Sequence, residues 1–192
     1  MAWAKNGTPD TLGSAGDVLE ITDLTANTLN MFMYHKIASG SLNDQIRYNN
    51  DSGSNYSARR STDGGGDTTD TSLTFHDWDN GATAYDRFSI CYEINISTEE
   101  KLAITNSTAQ NTAGAANAPY RVEQVTKWAN TSAQITDIAC DNRGTGSMDT
   151  SSNLSALGSD GVESLTVQDG AVYYDTDLNK SYVLYNNAWT EL

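Results

Sequence analysis

The segment of residues 87–96, RFSICYEINI, alternates strictly between two kinds of side chain. One parity holds Phe88, Ile90, Tyr92, Ile94 and Ile96, and the other holds Ser89, Cys91, Glu93 and Asn95. Successive side chains of a β-strand point to opposite faces of its sheet. The pattern therefore predicts a strand whose apolar parity faces a core and whose polar parity faces a wetter surface.

Similar strand-like runs recur between clusters of Ser, Thr, Asn, Asp and Gly, which favour turns. They cover residues 17–24, 28–37, 44–49, 56–61, 72–78, 101–105, 120–128, 133–140 and 153–157, with a short helix as the alternative for 120–128. This is enough for two packed sheets, so we predict an all-β protein with an antiparallel β-sandwich over residues 1–160. Residues 62–71 and 108–118 are predicted to be surface loops, the first of them mobile because of its three glycines.

Residues 161–192 form a second predicted unit, a small three-stranded β-meander. Its strands are expected at residues 170–174, 181–185 and 188–192. Three short strands are marginally stable alone, and this unit is rich in aromatic side chains, namely Tyr173, Tyr174, Tyr182, Tyr185 and Trp189. These rings are therefore predicted to contact a partner surface, which is the sandwich, another copy of the chain or a different protein.

The charge of the chain excludes several classes of function. The formal net charge is −14 and the sequence pI about 4.2. Such a chain repels phosphate backbones, so we predict no direct contact with nucleic acid. The sequence shows neither a secretory signal nor an apolar run long enough to span a bilayer. We therefore expect synthesis in a cytoplasm and no membrane insertion.

Residues with catalytic or metal-binding chemistry are few. Two histidines, His35 and His76, lie inside strand-like runs, and no nucleophile motif accompanies them, so we predict no enzymatic activity and no cofactor. Cys91 and Cys140 are predicted to be buried thiols. A weak calcium candidate consists of Asp175, Asp177 and Asn179, whose oxygens alternate along the chain; a turn favours the same residue types.

Two aromatic residues of the first unit, Trp78 and Tyr85, are candidates for contact with a ligand or partner, as are the aromatics of the second unit. Exposed rings of this kind stack on sugars. The alternative for Trp78 and Tyr85 is a place in the core or in a subunit interface.

One resemblance adds to this interpretation. The pattern KWANTSAQITDI at residues 127–138, the Gly/Ser-rich loop at 144–148 and the strand at 154–158 resemble β-sandwich virion surface proteins of tailed, especially marine, phages. Residues 11–24, 47–65 and 97–104 are similar to the same group. Residues 168–192 are similar to C-terminal modules of phage tail and fibre proteins.

The resemblance implies a jelly-roll-like sandwich displayed on a virus particle, commonly as a symmetric homo-oligomer. We favour a trimer, because closure around a threefold axis would bury the aromatic side chains of the second unit. The first hypothesis is a capsid decoration or head-fibre protein that is made in the host cytoplasm and contacts other virion proteins. The alternatives are a tail or fibre receptor-binding protein that contacts host-surface glycans, and a free carbohydrate-binding lectin. Such proteins often carry an aliphatic residue at the position of Cys140, which supports a buried thiol there.

Overall fold

The structure is a computed structural model that describes residues 3–78, 84–160, 170–186 and 188–192. It divides into two compact units, residues 2–160 and residues 161–192, and the junction at 161–169 lies outside the described residues. Every regular element of the described residues is a β-strand, and every strand pairing is antiparallel. This confirms the predicted all-β class.

The described residues of the first unit form fourteen strands, most of them four to nine residues long. They are β1 (Ala4–Lys5), β2 (Asp10–Thr11), β3 (Val18–Ile21), β4 (Leu29–Lys36), β5 (Ala38–Ser39), β6 (Asp44–Tyr48), β7 (Tyr56–Thr62), β8 (Thr68–Leu73), β9 (Arg87–Ile94), β10 (Lys101–Ala109), β11 (Tyr120–Trp128), β12 (Ile138–Asn142), β13 (Ser147–Met148) and β14 (Asn153–Ser159).

Two sheets of unequal size share one core. The large sheet has nine strands in the order β1-β14-β4-β9-β10-β11-β7-β8, with β2 also paired to β14. The small sheet has the order β3-β12-β6, and β13 and β5 form a separate ribbon. Buried side chains of both sheets contribute to a single cluster, including Phe32 and Trp128 from the large sheet and Ile46 and Tyr48 from the small one. This arrangement is a β-sandwich.

Several predicted boundaries are corrected by the structure. Residues 62–71 are not one loop, because Thr68–Leu73 forms β8 and pairs with β7 in a hairpin. The predicted strand at 72–78 is reduced to the end of β8 and a single bridge between His76 and Ile46. Residues 120–128 are a strand and not a helix. The strand predicted at residues 133–140 is observed at Ile138–Asn142. The strand predicted at 153–157 is two residues longer and covers Asn153–Ser159.

The predicted orientation of β9 is wrong. Ser89, Cys91 and Glu93 are buried against the small sheet, whereas Phe88 and Tyr92 are exposed. The inner face of the large sheet, meaning the side packed on the small sheet, therefore carries the hydrophilic parity of this strand. Strand β10 repeats the inversion, because Ala103, Thr105 and Ser107 are buried whereas its two large aliphatic residues are exposed.

Some of the hydrophilic groups of the inner face form hydrogen bonds or ion pairs with each other and with the small sheet. The Ser89 and Ser107 hydroxyls lie 2.7 Å apart, and the Ser107 hydroxyl donates to the carbonyl of Trp78 at 2.8 Å. The Lys36 ammonium on β4 contacts the Asp44 carboxylate on β6 at 2.8 Å, with both side chains almost fully buried. Because β4 and β6 belong to different sheets, this ion pair links the two layers.

The second unit is the predicted three-stranded meander, with β15 (Val172–Asp175), β16 (Lys180–Tyr185) and β17 (Ala188–Glu191) in that order. Tyr173 stacks on Tyr182 with ring centroids 5.2 Å apart and meets Trp189 edge-on at 4.9 Å. Leu184 is the buried aliphatic residue on the same face. One side of the meander thus carries a small aromatic cluster.

We expect the Lys36–Asp44 pair to determine much of the stability of the first unit. Replacing one partner, as in Lys36→Met or Asp44→Asn, leaves the other buried without its main counter-charge and should cost about 3–5 kcal/mol of unfolding free energy. The double variant should cost clearly less than the sum of the two single changes. Denaturant unfolding of all four proteins measures this coupling.

The exposed pair of Lys127 and Glu100, 3.0 Å apart, is the matched control. Lys127→Met and Glu100→Gln should each cost less than about 1 kcal/mol, because water screens this pair. Equal effects at the two pairs would contradict the assignment of the inter-sheet pair as a stabilising link.

Candidate functional site

The most unusual surface of the first unit is the side of the large sheet that faces away from the small sheet. Six large apolar side chains of three adjacent strands are exposed there by between 42% and 57%. We call this the outer apolar face and define it as Phe88, Tyr92, Ile94, Leu102, Ile104 and Val125. A contiguous patch of this kind commonly marks a site of interaction.

The strand register makes these side chains neighbours. Ile94 on β9 lies opposite Leu102 on β10, and Tyr92 lies opposite Ile104. Ile104 in turn lies opposite Val125 on β11. Directly opposed residues on one face have Cβ atoms about 4.5–5.5 Å apart, so the side chains form a continuous surface across the three strands.

Five members of the outer apolar face, all except Phe88, form the floor of a shallow groove with a volume of about 740 Å³. Trp3 and Leu29 border the groove on one side. Arg59 on β7 and residues Thr69 and Thr71 on β8 border it on the other. The hairpin that replaces the predicted loop at 62–71 therefore helps to shape this surface.

Charged residues around the groove are paired with one another. Lys127 contacts Glu100, and Arg59 contacts Asp67 at 3.4 Å. The guanidinium of Arg121 lies 3.9 Å from the carboxylate of Glu123. These three pairs cancel in charge, so the rim is close to neutral although the whole chain carries −14.

Beneath the outer apolar face, the inner side of the same strands contains a buried acid and a buried base. Burial raises the pKa of Glu93 well above 4.5, and the Tyr48 hydroxyl and Lys101 offset this only in part. Lys101 is also buried, and its ammonium donates to the carbonyls of Glu99 and Asn130 at 2.8 Å each. Burial lowers the pKa of Lys101, and the nearby carboxylates of Glu93 and Glu99, which raise it, offset this only in part.

The predicted contact residues of the first unit are placed differently from one another. Trp78 is only 1% exposed and packs near Phe32 with ring centroids 6.3 Å apart, so it belongs to the core, one of the two alternatives from sequence. Tyr85 is half-buried and its ring lies 5.4 Å from that of Tyr120. Neither residue is part of the outer apolar face.

The predicted contact residues of the second unit fall on two faces of the meander. Tyr173, Tyr182 and Trp189 form the ring cluster on one face. Tyr174 and Tyr185 lie on the other face and are more than half exposed. All five remain predicted contacts, and Trp189 and Tyr173 are the cluster members with the most accessible rings.

The candidates for metal or catalytic chemistry occupy separate places. The Asp175 carboxylate accepts hydrogen bonds from the backbone N–H groups of Asp177 and Leu178, each at 3.0 Å, so it caps the turn. Asn179 accepts a hydrogen bond from the Tyr174 hydroxyl. His35 is exposed on β4, whereas His76 is buried. Among the described residues, no three His, Cys, Asp or Glu side chains are grouped to hold a metal ion.

The two cysteines agree with the sequence prediction, since Cys91 and Cys140 are buried and form no disulfide. They lie on β9 and β12, in different sheets. Burial raises the pKa of the Cys91 thiol far above its usual range, which leaves it an inert packing group.

Comparison with known proteins identifies no relative of this chain. No protein-family model matches the chain, and no curated protein or solved structure is significantly similar to it.

In the parts of the chain that the structure describes, no helix is long and apolar enough to cross a membrane.

We expect Glu93 to make the first unit less stable as the pH rises. The folded protein holds the Glu93 proton more tightly than the unfolded chain does, because its pKa is raised in the fold. Its contribution is therefore fully present below about pH 4.5 and is lost as the pH rises toward the folded pKa, by up to about 1.4 kcal/mol per pH unit. Glu93→Gln should flatten this dependence and be at least as stable as the wild type at neutral pH.

Denaturant unfolding of the wild type and of Glu93→Gln across this pH range measures the effect. The buried His76, whose pKa is lowered to about 3, destabilises the fold as the pH falls below 6.5. It does so in both proteins, so their difference isolates Glu93. Glu123→Gln, an exposed change on β11 of the same sheet, two strands away from β9, is the control and should leave the profile unaltered. Parallel profiles for the wild type and Glu93→Gln would contradict a neutral, buried Glu93.

Proposed function

We propose that this chain is a structural protein displayed on the surface of a virus particle, as a capsid decoration or head-fibre protein. It acts by assembly and surface presentation, not by catalysis. The observation that carries the proposal is the outer apolar face, an exposed hydrophobic surface on a chain that is on average acidic and hydrophilic, with a mean hydropathy of −0.53. An assembly subunit needs such a surface to contact its neighbours, whereas proteins that remain monomeric rarely expose one.

Three further observations support the proposal. The sequence patterns at residues 127–138, 144–148 and 154–158 resemble virion surface proteins of tailed phages. A β-sandwich built on long, paired strands suits a rigid structural part. The acidic surface keeps the protein soluble and disfavours contact with packaged nucleic acid. Its place would be outside the capsid, with other virion proteins as neighbours.

A second candidate function is that of a phage tail or fibre protein that binds a receptor on the host surface. It is favoured by the aromatic cluster of the second unit, where Trp189 is 43% exposed beside Tyr173. Rings arranged in this way offer an apolar platform on which a sugar ring can stack. Under this alternative the ligand is a glycan of the host surface; a free lectin would use the same platform in solution.

We expect the chain to occupy regular positions on the capsid lattice when intact particles of the encoding virus are imaged by cryo-electron microscopy. Labelling with an antibody raised against the purified protein gives an independent location on the same particles. Density restricted to the tail tip or fibres would replace the decoration role by receptor binding. Absence of the protein from the particle would refute both virion roles and favour the lectin.

A glycan-binding assay separates the remaining alternatives. The decoration role predicts no binding to a panel of cell-surface glycans. Binding that is lost in Trp189→Ala and kept in Val172→Ala would favour the receptor-binding or lectin function. Val172 is an apolar residue of the same meander but lies on its opposite face, so it controls for general loss of exposed apolar surface.

A further inference from the structure

We infer that the outer apolar face is covered by another copy of this chain, so that neighbouring subunits bury these faces against one another. The inference rests on the proposed assembly role and names the partner at that surface.

The area of the face fits one side of a stable protein interface. Six large apolar side chains exposed by 42–57% amount to about 500 Å² of apolar surface. A standard interface buries about 800 Å² per partner, and about 65% of a homodimer interface is apolar, which again gives about 500 Å². The half-buried side chains of Leu29 and Met31, which adjoin the face on β4, enlarge it further.

The charge around the face favours a like partner over an oppositely charged one. A foreign partner recognised by electrostatic attraction would be cationic and would bind where the acidic charge is concentrated. The rim of the outer apolar face instead carries three internally paired cations, Arg59, Arg121 and Lys127. Two chains of net charge −14 repel each other in general, so they can associate only through a surface that is locally neutral.

This charge distribution has a measurable consequence. Added salt screens the general repulsion between two acidic copies and leaves the apolar contact intact. Self-association through the face should therefore become stronger as the salt concentration rises. Binding of a cationic foreign partner would become weaker under the same conditions.

Ile104 lies at the centre of the face and is its most exposed member, at 57%. It is flanked by Tyr92 on β9 and Val125 on β11, with which it is in register. Copies arranged around a common symmetry axis would bring equivalent faces together into a shared apolar core. The trimer that the sequence analysis favours is one such arrangement.

The test compares two valines of equal exposure. Val125 belongs to the outer apolar face and Val18 belongs to β3 of the small sheet, and both are 49% exposed. Val125→Lys and Val18→Lys add the same side chain and make the net charge less negative by the same amount. General electrostatics therefore favours association equally in both variants, and only the position of the lysine differs.

Molar mass is measured for the full-length proteins by light scattering and sedimentation equilibrium over a range of protein and salt concentrations. We expect the wild type and Val18→Lys to form the same homo-oligomer. Val125→Lys should weaken self-association by at least about tenfold, because it places a charge inside the buried interface, directly beside the central Ile104. Ile104→Asp is the second variant and should have the same effect, and circular dichroism verifies that each variant is folded.

Two results would overturn the inference. A wild type that is monomeric at all concentrations would show that no second copy covers the face. An oligomer that Val18→Lys weakens as much as Val125→Lys, or that neither Val125→Lys nor Ile104→Asp weakens, would place the interface elsewhere. Either result leaves the virion role intact if cryo-electron microscopy finds the protein on particles, because another virion protein would then cover the face.

Discussion

The structure of the first unit depends on a layer of hydrophilic side chains enclosed between its two sheets. This layer includes the Lys36–Asp44 ion pair and the hydrogen-bonded hydroxyls of Ser89 and Ser107. It also includes the buried side chain of Lys101, whose ammonium donates to a backbone carbonyl. Buried groups of this kind are tolerated only when their partners are in place. They therefore hold the large sheet in one orientation, since turning a strand over would separate charges from their partners.

This orientation determines what the rest of the molecule presents to its surroundings. Because the hydrophilic parity of β9 and β10 is enclosed, the apolar parity of the same strands faces outward. The fold thus forms its core from the small sheet, the aromatic cluster around Tyr48 and Trp128, and small residues of the large sheet. The larger apolar side chains of β9 and β10 remain available for a contact outside the subunit.

Part of this architecture could be predicted from the sequence. Alternation and turn residues predicted the all-β class, the long strands β4, β9 and β11 and the meander of the second unit. The hairpin of β7 and β8 was missed because its loop contains consecutive glycines and its second strand is mostly Thr, Asp and Ser. Pairing with β7 stabilises that strand, and such tertiary pairing overrides local preference.

The orientation of β9 shows why the functional surface was harder to predict than the fold. A period of two separates the side chains of a strand into two sets, but it does not say which set is covered by the same chain and which by another. Polarity suggested the wrong assignment here, and side-chain volume is the better guide. The inner positions Ser89, Ala103 and Ser107 are small, and they face a core that holds bulky rings such as Tyr48 and Trp78.

Close packing requires large side chains to lie against small ones. Where the rings lie against the middle of β9 and β10, at Ser89, Ala103 and Ser107, the core has no room for large apolar side chains. The same sequence that provides these rings therefore forces Tyr92, Ile94 and Ile104 to the outside, where their burial needs another molecule.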